Sequence, residues 1–257
     1  MKFLVSVICL CLLFLPLNAT SPNSISKDTK QSNNSESRYE FVDPRDGIFV
    51  SGYKAFKAGN FKQAVKWYTK AAEQGHAPAQ HSLGLMFGNG IGLPQNKKQA
   101  VEWYTLAAEQ GHAGAQSLLG VAYYLGEGVL QDYKIAANWV SKAAEQKDVS
   151  SQSLLGSMYY DGEGVPQDYR EALKWLTKAA EQGEGQAQNR LGAMYYYGHG
   201  VIKDYAKSYA WANIGAANTG SSKVREIISE IMTPTQIAEG QKLSREMVEA
   251  NPKLLGN

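Results

Sequence analysis

The chain has 257 residues, of which 19% are charged and 44% are hydrophobic, and its formal net charge at pH 7 is +2. This composition is typical of a globular protein that is long enough to bury one or two hydrophobic cores. The near balance of charges gives no support to a nucleic-acid-binding protein or to an enzyme for acidic substrates.

The first nineteen residues are predicted to be a secretory signal peptide. A single lysine precedes a short apolar run, and Pro16 and the small residue Ala19 follow the run. The run is too short to span a membrane, so we expect cleavage near Ala19 and a protein exported to the periplasm or secreted. Cys9 and Cys11 lie inside the run, which favours a cleaved signal over a lipid anchor.

Residues 20–46 are predicted to be a flexible polar leader. They are rich in Ser, Asn and Lys and contain few apolar residues. Such a segment cannot bury enough apolar surface to offset its ordering entropy, although it could serve as a tether. Because both cysteines of the chain lie in the signal peptide, the mature protein is expected to contain no disulfide.

A period of 36 residues organises the rest of the chain. All five tryptophans follow it, at Trp67, Trp103, Trp139, Trp175 and Trp211. Leu-Gly pairs recur at 83–84, 119–120, 155–156 and 191–192, and spaced glycine pairs recur at 90/92, 126/128, 162/164 and 198/200. The repeat is therefore a whole structural unit rather than a short motif.

Each unit is predicted to contain two helices joined by a glycine-containing turn. Apolar residues at helical spacing form the first helix, and Gly120 within one copy predicts close approach to a second helix. Predicted N-cap residues of the second helices are Asn96, Asp132, Asp168 and Asp204, and predicted C-cap glycines are Gly75, Gly111 and Gly183. One helix pair cannot bury its apolar stripe alone, so the units are expected to stack.

The unit resembles the Sel-one-like repeat, a relative of the tetratricopeptide repeat. The segment that carries the resemblance most clearly is LGSMYYDGEGVPQDYREALKWLTKAAEQG, at 155–183, and the resemblance extends over about residues 48–220. It implies an all-α, right-handed superhelix of five helix–turn–helix repeats at 47–220, in an exported bacterial protein. The first unit lacks the glycine loop, which implies a shorter hairpin.

The end of the chain departs from the repeat. Thr233, Pro234 and Gln236 are typical of an N-cap, a first helical residue and a capping-box partner. Apolar residues continue along the helix that would follow. Residues 221–257 are therefore predicted to form a helical cap and tail that close the open end of the core.

By the resemblance to tetratricopeptide arrays, the first helices are expected to line a concave groove that binds a protein or peptide. The expected groove residues are His81, Leu85, Asn89, Ser117, Val121, Tyr124, Leu125, Ser153, Ser157, Tyr160, Asp161, Asn189, Ala193, Tyr196 and Tyr197. Tyr124, Tyr160 and Tyr196 form a ladder with the period of the repeat. Tyrosine suits a binding surface, but these side chains could equally pack between repeats.

Catalytic chemistry is not indicated by the sequence. Neither a GxSxG elbow nor a phosphate-binding loop occurs, and the four histidines lack metal-ligand spacing and are interpreted as loop residues. Ser51 and Lys54 match the SxxK motif of penicillin-recognising enzymes, but no SDN or KTG follows. The cysteine-rich relatives with attributed β-lactam activity also carry a disulfide in each repeat, which this mature chain lacks.

The sequence therefore predicts an exported repeat scaffold that is not an enzyme and needs no cofactor or metal. We expect a monomer that binds a protein partner, with no nucleic acid and no membrane-spanning segment in the mature chain. The resemblance suggests envelope complex assembly, periplasmic regulation or host contact. A penicillin-binding or β-lactamase-type hydrolase and a self-assembling structural array are the alternative interpretations.

Overall fold

A computed structural model describes residues 43–256 of the chain. The predicted signal peptide and leader residues 20–42 lie outside these residues. Within 43–256 the structure consists of twelve α-helices and a final 3₁₀ helix, without a β-strand. In the same part of the chain, no helix is both long and apolar enough to cross a membrane.

Ten of the helices form five consecutive pairs, and each pair packs on the next. The first helices of the pairs are α1 (Pro44–Lys57), α3 (Ala77–Asn89), α5 (Ala113–Leu125), α7 (Val149–Asp161) and α9 (Gly185–Tyr197). The second helices are α2 (Phe61–Ala72), α4 (Lys97–Glu109), α6 (Tyr133–Glu145), α8 (Tyr169–Ala180) and α10 (Tyr205–Thr219). Helices α11 (Lys223–Ser229) and α12 (Pro234–Ala250) and the 3₁₀ helix Pro252–Leu255 follow. The predicted all-α solenoid of five pairs with a helical cap is confirmed.

The predicted N-caps mark where these helices begin. The Asn96 side chain accepts a hydrogen bond from the Gln99 amide at 3.0 Å, and Asp132, Asp168 and Asp204 act in the same way on their own helices. At α12, Thr233 and Gln236 form the predicted capping box. The predicted C-cap glycines instead lie one or two residues beyond the observed C-caps, which are Glu73, Gln110 and Glu181. Gly75, Gly111 and Gly183 have φ values of +82°, +86° and +88° and allow the turn that follows each helix.

Small residues allow the helices to approach closely. A Cβ atom on Gly156 would lie 2.7 Å from Leu176 Cγ, which is on the second helix of the same pair. A Cβ atom on Gly164 would lie 1.9 Å from the carbonyl oxygen of Tyr133, in the preceding repeat. Each repeat therefore needs one glycine to close its own pair and another to seat it on its neighbour.

A chain of buried glutamines joins the repeats. Gln80, Gln116, Gln152 and Gln188 are at most 5% exposed. Each donates a hydrogen bond to a carbonyl at the end of the preceding second helix, as Gln116 does to the Ala108 carbonyl at 3.1 Å. Each also accepts a hydrogen bond from the side-chain amide of a Gln or Asn at the end of the following second helix. For example, Gln116 accepts one from the side chain of Gln146 at 2.7 Å. Each of these helix-end carbonyls also accepts a backbone hydrogen bond from the following turn, so the glutamine supplies its second partner.

The tail closes this chain of hydrogen bonds at the last repeat. The carbonyl of Leu254 accepts hydrogen bonds from Gln188 at 2.8 Å and from Asn218 at 2.6 Å. Asn251 donates to the carbonyl of Glu181 at 3.0 Å. The C-terminal segment therefore joins the hydrogen-bond network of the last repeats.

Replacing Gln116 by leucine is expected to lower the free energy of unfolding by about 1–3 kcal/mol, because the Ala108 carbonyl and the Gln146 amide would lose a partner in the interior. Urea unfolding monitored by circular dichroism measures the change. The control is Gln186→Leu at an exposed position of α9, with an expected change below about 0.5 kcal/mol. Equal losses in both variants would contradict a special role for the buried amide.

Replacing Lys147 by glycine is expected to raise the free energy of unfolding by about 0.5–1 kcal/mol. Lys147 has a φ of +70° where the equivalent positions carry Gly75, Gly111 and Gly183. The gain from removing the strained Cβ exceeds the entropy that glycine adds to the unfolded chain. The reverse change, Gly111→Lys, should lower the free energy of unfolding by a similar amount. A Cβ atom there meets no atom within 4 Å, so the cost comes from the backbone conformation and not from a steric clash. Thermal melts of both variants that fail to shift in opposite directions would contradict this account.

Candidate protein-binding face

All fifteen residues that the sequence suggested for the groove lie on α3, α5, α7 and α9. Asp161 and Tyr197 are exposed, and most of the others are partly exposed. Ser117 differs because its side chain is buried, where its hydroxyl is bonded to Asp148 Oδ1 at 3.1 Å and to Ser151 Oγ at 2.9 Å. Ser117 thus contributes to packing between repeats rather than to the surface.

Side chains link neighbouring first helices into one continuous surface, which we call the first-helix face. Its exposed and partly exposed residues are the remaining fourteen of the fifteen. The guanidinium of Arg190 pairs with Asp161 at 3.0 Å and lies over the Tyr160 ring at 5.3 Å. Ser153 Oγ donates to Glu184 Oε2 at 3.2 Å. Because these contacts cross from one repeat to the next, the side chains of the face are held in a fixed arrangement.

Five aromatic side chains gather at the ends of α7 and α9, and we call Tyr160, Tyr169, Tyr196, Tyr197 and His199 the His199 cluster. The imidazole of His199 stacks on Tyr169 with ring centres 4.4 Å apart and planes 8° apart. Its other neighbours are the Tyr197 ring, at 5.3 Å, and the Tyr160 hydroxyl, bonded to Nδ1 at 2.9 Å. Tyr197, which is 57% exposed, presents the outer ring of the cluster.

The tyrosine ladder packs between elements and also reaches the surface. Tyr124, Tyr160 and Tyr196 each contact the first residue of their own second helix, with ring centres 5.2–5.9 Å apart. Tyr124 Oη donates to Glu163 Oε2 of the next repeat at 2.6 Å. Burial, followed by this bond, raises the pKa of the Tyr124 phenol, and burial also raises the pKa of Tyr160. Both phenols therefore stay protonated, and Tyr124 acts as a donor to the Glu163 carboxylate.

The histidines have structural roles that the sequence analysis missed. His76 and His112 are N-caps, whose Nδ1 atoms accept hydrogen bonds from the amides of Ala79 and Ala115 at 3.2 Å. His81 lies within α3 rather than in a loop, and its ring stacks on His112 with centres 4.6 Å apart. The 36-residue spacing of His76 and His112 could have indicated this capping role, because equivalent positions in helical repeats tend to share a structural role.

The described residues show no arrangement typical of catalysis. Ser51 Oγ donates to the carbonyl of Gly47 at 3.0 Å, so its hydroxyl is bonded to its own helix, and Lys54 is exposed. Within 43–256, no group of three histidine, cysteine, aspartate or glutamate side chains could hold a metal ion. A shallow cavity of about 250 Å³ lies away from the first-helix face, lined by residues of α10 and α12 such as Asn213 and Arg245.

Acidification is expected to destabilise the protein through His81. Burial, followed by the neighbouring His112, lowers the pKa of His81 to about 3, whereas an unfolded histidine titrates near 6.5. The stabilisation is therefore present above pH 6.5 and is lost as the pH falls toward 3. Between pH 6.5 and pH 5 the wild type should therefore lose free energy of unfolding through His81. We expect this loss to be about 1–2 kcal/mol smaller in His81→Gln.

Urea unfolding at both pH values measures this difference, and the common carboxylate contribution cancels between variant and wild type. His112→Asn keeps an N-cap side chain but removes the stacked ring, and it should also flatten the pH dependence. An unchanged pH dependence in His81→Gln would contradict the role of the buried imidazole.

The comparisons with known proteins agree with this architecture. Residues 52–76, 77–112, 113–148, 149–184 and 185–219 each match the Sel1 repeat. The crystal structure of c5321, a protective antigen present in uropathogenic Escherichia coli strains that displays an SLR fold, is 34% identical in sequence, with a TM-score of 0.74. That match covers 82% of this chain and 47% of c5321, so the chain spans about half the length of that antigen.

A second similar structure is the Sel1 repeat protein from Oxalobacter formigenes, with 29% identity and a TM-score of 0.66 over 79% of this chain and 85% of that one. No curated protein matches the chain. Sel1 repeat proteins are generally non-catalytic scaffolds for protein–protein interaction. The five matched repeats span more than half of the sequence, and the chain belongs to the Sel1 repeat family.

Proposed function

We propose that this chain is an exported scaffold that binds a partner protein through the first-helix face. The His199 cluster would be the centre of the contact, and the other groove residues would surround it. Membership of the Sel1 repeat family supports the scaffold role. The similar protein c5321 is a protective antigen, and by analogy this supports export of this chain to the envelope or beyond it.

The His199 cluster carries the proposal because its rings are both accessible and fixed. Aromatic side chains that contribute much area at little entropic cost dominate many protein interfaces. Here Tyr197 is exposed, while His199 is held by the Tyr169 stack and by the Tyr160 hydroxyl. Binding of a partner would therefore cost little side-chain entropy, because the fold already holds these rings in place.

The ion pair on the first-helix face indicates what kind of partner it would bind. Arg190 and Asp161 form an ion pair at 3.0 Å beside the cluster. Aromatic rings, serine and asparagine side chains and Leu85 or Val121 provide the rest of the surface. We therefore expect a partner that offers apolar and hydrogen-bonding groups rather than a dense charge, in envelope assembly, periplasmic regulation or host contact.

Site-specific photo-crosslinking tests this proposal. A benzophenone side chain placed at Ser157, on the first-helix face, should crosslink a discrete partner in cells of the source organism. The same group at Asn138, exposed on the second helix α6, should give little of that product. In the Ser157 chain, Tyr197→Ala should lower the yield about tenfold, because a central aromatic side chain contributes at least 1–2 kcal/mol to an interface.

The matched control is Tyr53→Ala in α1, another partly exposed tyrosine, which should leave the crosslink unchanged. Circular dichroism establishes that both variants remain folded. A product that forms equally from Ser157 and Asn138, or that survives Tyr197→Ala at full yield, would place the partner elsewhere and contradict the proposal.

A further inference from the structure

The second helices present a regular charged surface on which the proposed function does not depend. One exposed stripe runs along each of the helices α2, α4, α6 and α8. It consists of the second residue of the helix and the residues four, eight and eleven positions later, and all sixteen of these side chains are exposed. Across the repeats these positions form four rows: Lys62, Lys98, Lys134 and Arg170; Lys66, Glu102, Asn138 and Lys174; Lys70, Leu106, Lys142 and Lys178; Glu73, Glu109, Glu145 and Glu181.

The first three rows, which we call the cationic rows, contain nine cations and one carboxylate. The fourth row consists of four glutamates, which helps to explain why the net charge of the whole chain is only +2. A nearly neutral chain therefore carries a strongly cationic strip. The first row is not neutralised locally: none of Lys62, Lys98, Lys134 and Arg170 forms an ion pair within the described residues. In the second row, Lys174 pairs with Glu171 at 3.1 Å.

Helix stability does not explain the order of the rows. The amino-terminal end of a helix favours negative charge and the carboxyl-terminal end favours positive charge. In all four helices the first and fourth rows have the reverse order, with Lys or Arg at the second residue and Glu at the last residue or the C-cap. The lysines of the third row, by contrast, lie in the last turn, where the dipole favours them. A repeated arrangement that opposes the helix dipole points to a role in binding.

The shape of the strip favours a linear anionic partner over a flat one. Each first helix packs against the second helix of its own pair and against the second helix of the preceding pair, so each row offers one charge per repeat along the solenoid. The glutamate row lies about 16 Å from the first row along the helix axis, from eleven residues at 1.5 Å each. An anionic membrane that covered the whole surface would contact the glutamates, whereas a chain lying along the first row would avoid them.

The tryptophans beside the rows argue against a single-stranded nucleic acid. Such a ligand stacks its bases on open aromatic faces. Here the ammonium groups of Lys142 and Lys178 lie over the rings of Trp139 and Trp175, at 4.1 and 4.0 Å. Three of the four side chains of the first row are lysines, which bind anions as point charges rather than through a bidentate fork.

We propose that the cationic rows bind an acidic polysaccharide that runs across the repeats, with its sulfate or carboxylate groups against Lys62, Lys98, Lys134 and Arg170. This second site lies on helices other than those of the first-helix face. A scaffold with both sites could hold a protein partner while it is attached to an anionic glycan.

Binding of the full chain to fluorescent heparin and polygalacturonate oligosaccharides tests the proposal, the first offering sulfate groups and the second carboxylates. In the test variant, Lys62, Lys98, Lys134 and Arg170 are all replaced by Gln. The matched control replaces three lysines and one arginine of the C-terminal cap, Lys223, Lys242, Arg245 and Lys253, by Gln, so that both variants lose four positive charges.

Wild type should bind at least one oligosaccharide, with an affinity that falls as salt rises. The test variant should bind at least about tenfold more weakly and melt at the same or a higher temperature, because cations leave the helix amino termini. The control should stay within about twofold of wild type. A third variant, with Gln at Glu73, Glu109, Glu145 and Glu181, should bind more tightly, and this gain would support the proposal even if the test variant failed to fold.

Three results would overturn the proposal. One is the absence of binding to both oligosaccharides at 50 mM salt. Another is an equal loss of binding in the test and control variants, which would reflect net charge alone. The last is tighter binding to a DNA duplex of equal charge or to phosphatidylglycerol vesicles, which would assign the rows to a nucleic acid or a membrane.

Discussion

The stacking of the repeats depends on the buried glutamine chain, because it is the interaction that fixes how one repeat sits on the next. Most of the rest of the interface consists of alanine, leucine and methionine rows, whose attraction is not directional. Other hydrogen bonds between repeats, such as those of Ser117 and Tyr124, do not recur in every repeat as the glutamine bonds do. A buried amide that bonds a helix-end carbonyl on one side and another amide on the other has a single satisfactory position. Displacement of a repeat would break both hydrogen bonds of the buried amide, so these bonds specify the register that the apolar contacts stabilise.

A fixed register has a consequence for both surfaces of the protein. Equivalent residues of successive repeats come to lie in rows, so a feature written into one repeat is presented several times at constant spacing. On the first helices, the rows vary, and aromatic residues concentrate where Tyr160, Tyr197 and His199 meet. On the second helices, the charge of the first and last rows is retained in four of the five copies, whereas α10 carries Ala206 and Ala217 at these positions. Variation suits recognition of one particular partner, whereas constant charge suits a polymer that is itself repetitive.

Much of the fold was predictable because local chemistry decides it. The caps at Asn96 and Asp168, the positive φ of Gly111 and the capping box at Thr233 follow from rules that act within one turn of helix. The buried glutamines were missed although they also recur every 36 residues, since a polar residue in an amphipathic helix is normally assigned to the solvent side. The buried Ser117 was placed in the groove for a related reason: its partners, Asp148 and Ser151, belong to the next repeat, and only the packing brings them together.

The candidate sites show which part of a repeat sequence carries information about function. Constancy at Gly156 or Leu155 has a sufficient cause in packing, because their contacts tolerate no other size. Constancy of charge at an exposed position has no such cause, and at Lys134 and Glu145 it opposes the helix dipole at both ends of α6. Total charge hides this arrangement, because the glutamate row offsets part of the cationic rows in the sum but not in space. In a solenoid, therefore, a solvent-exposed residue that is repeated without a packing reason is the residue that most needs a functional explanation.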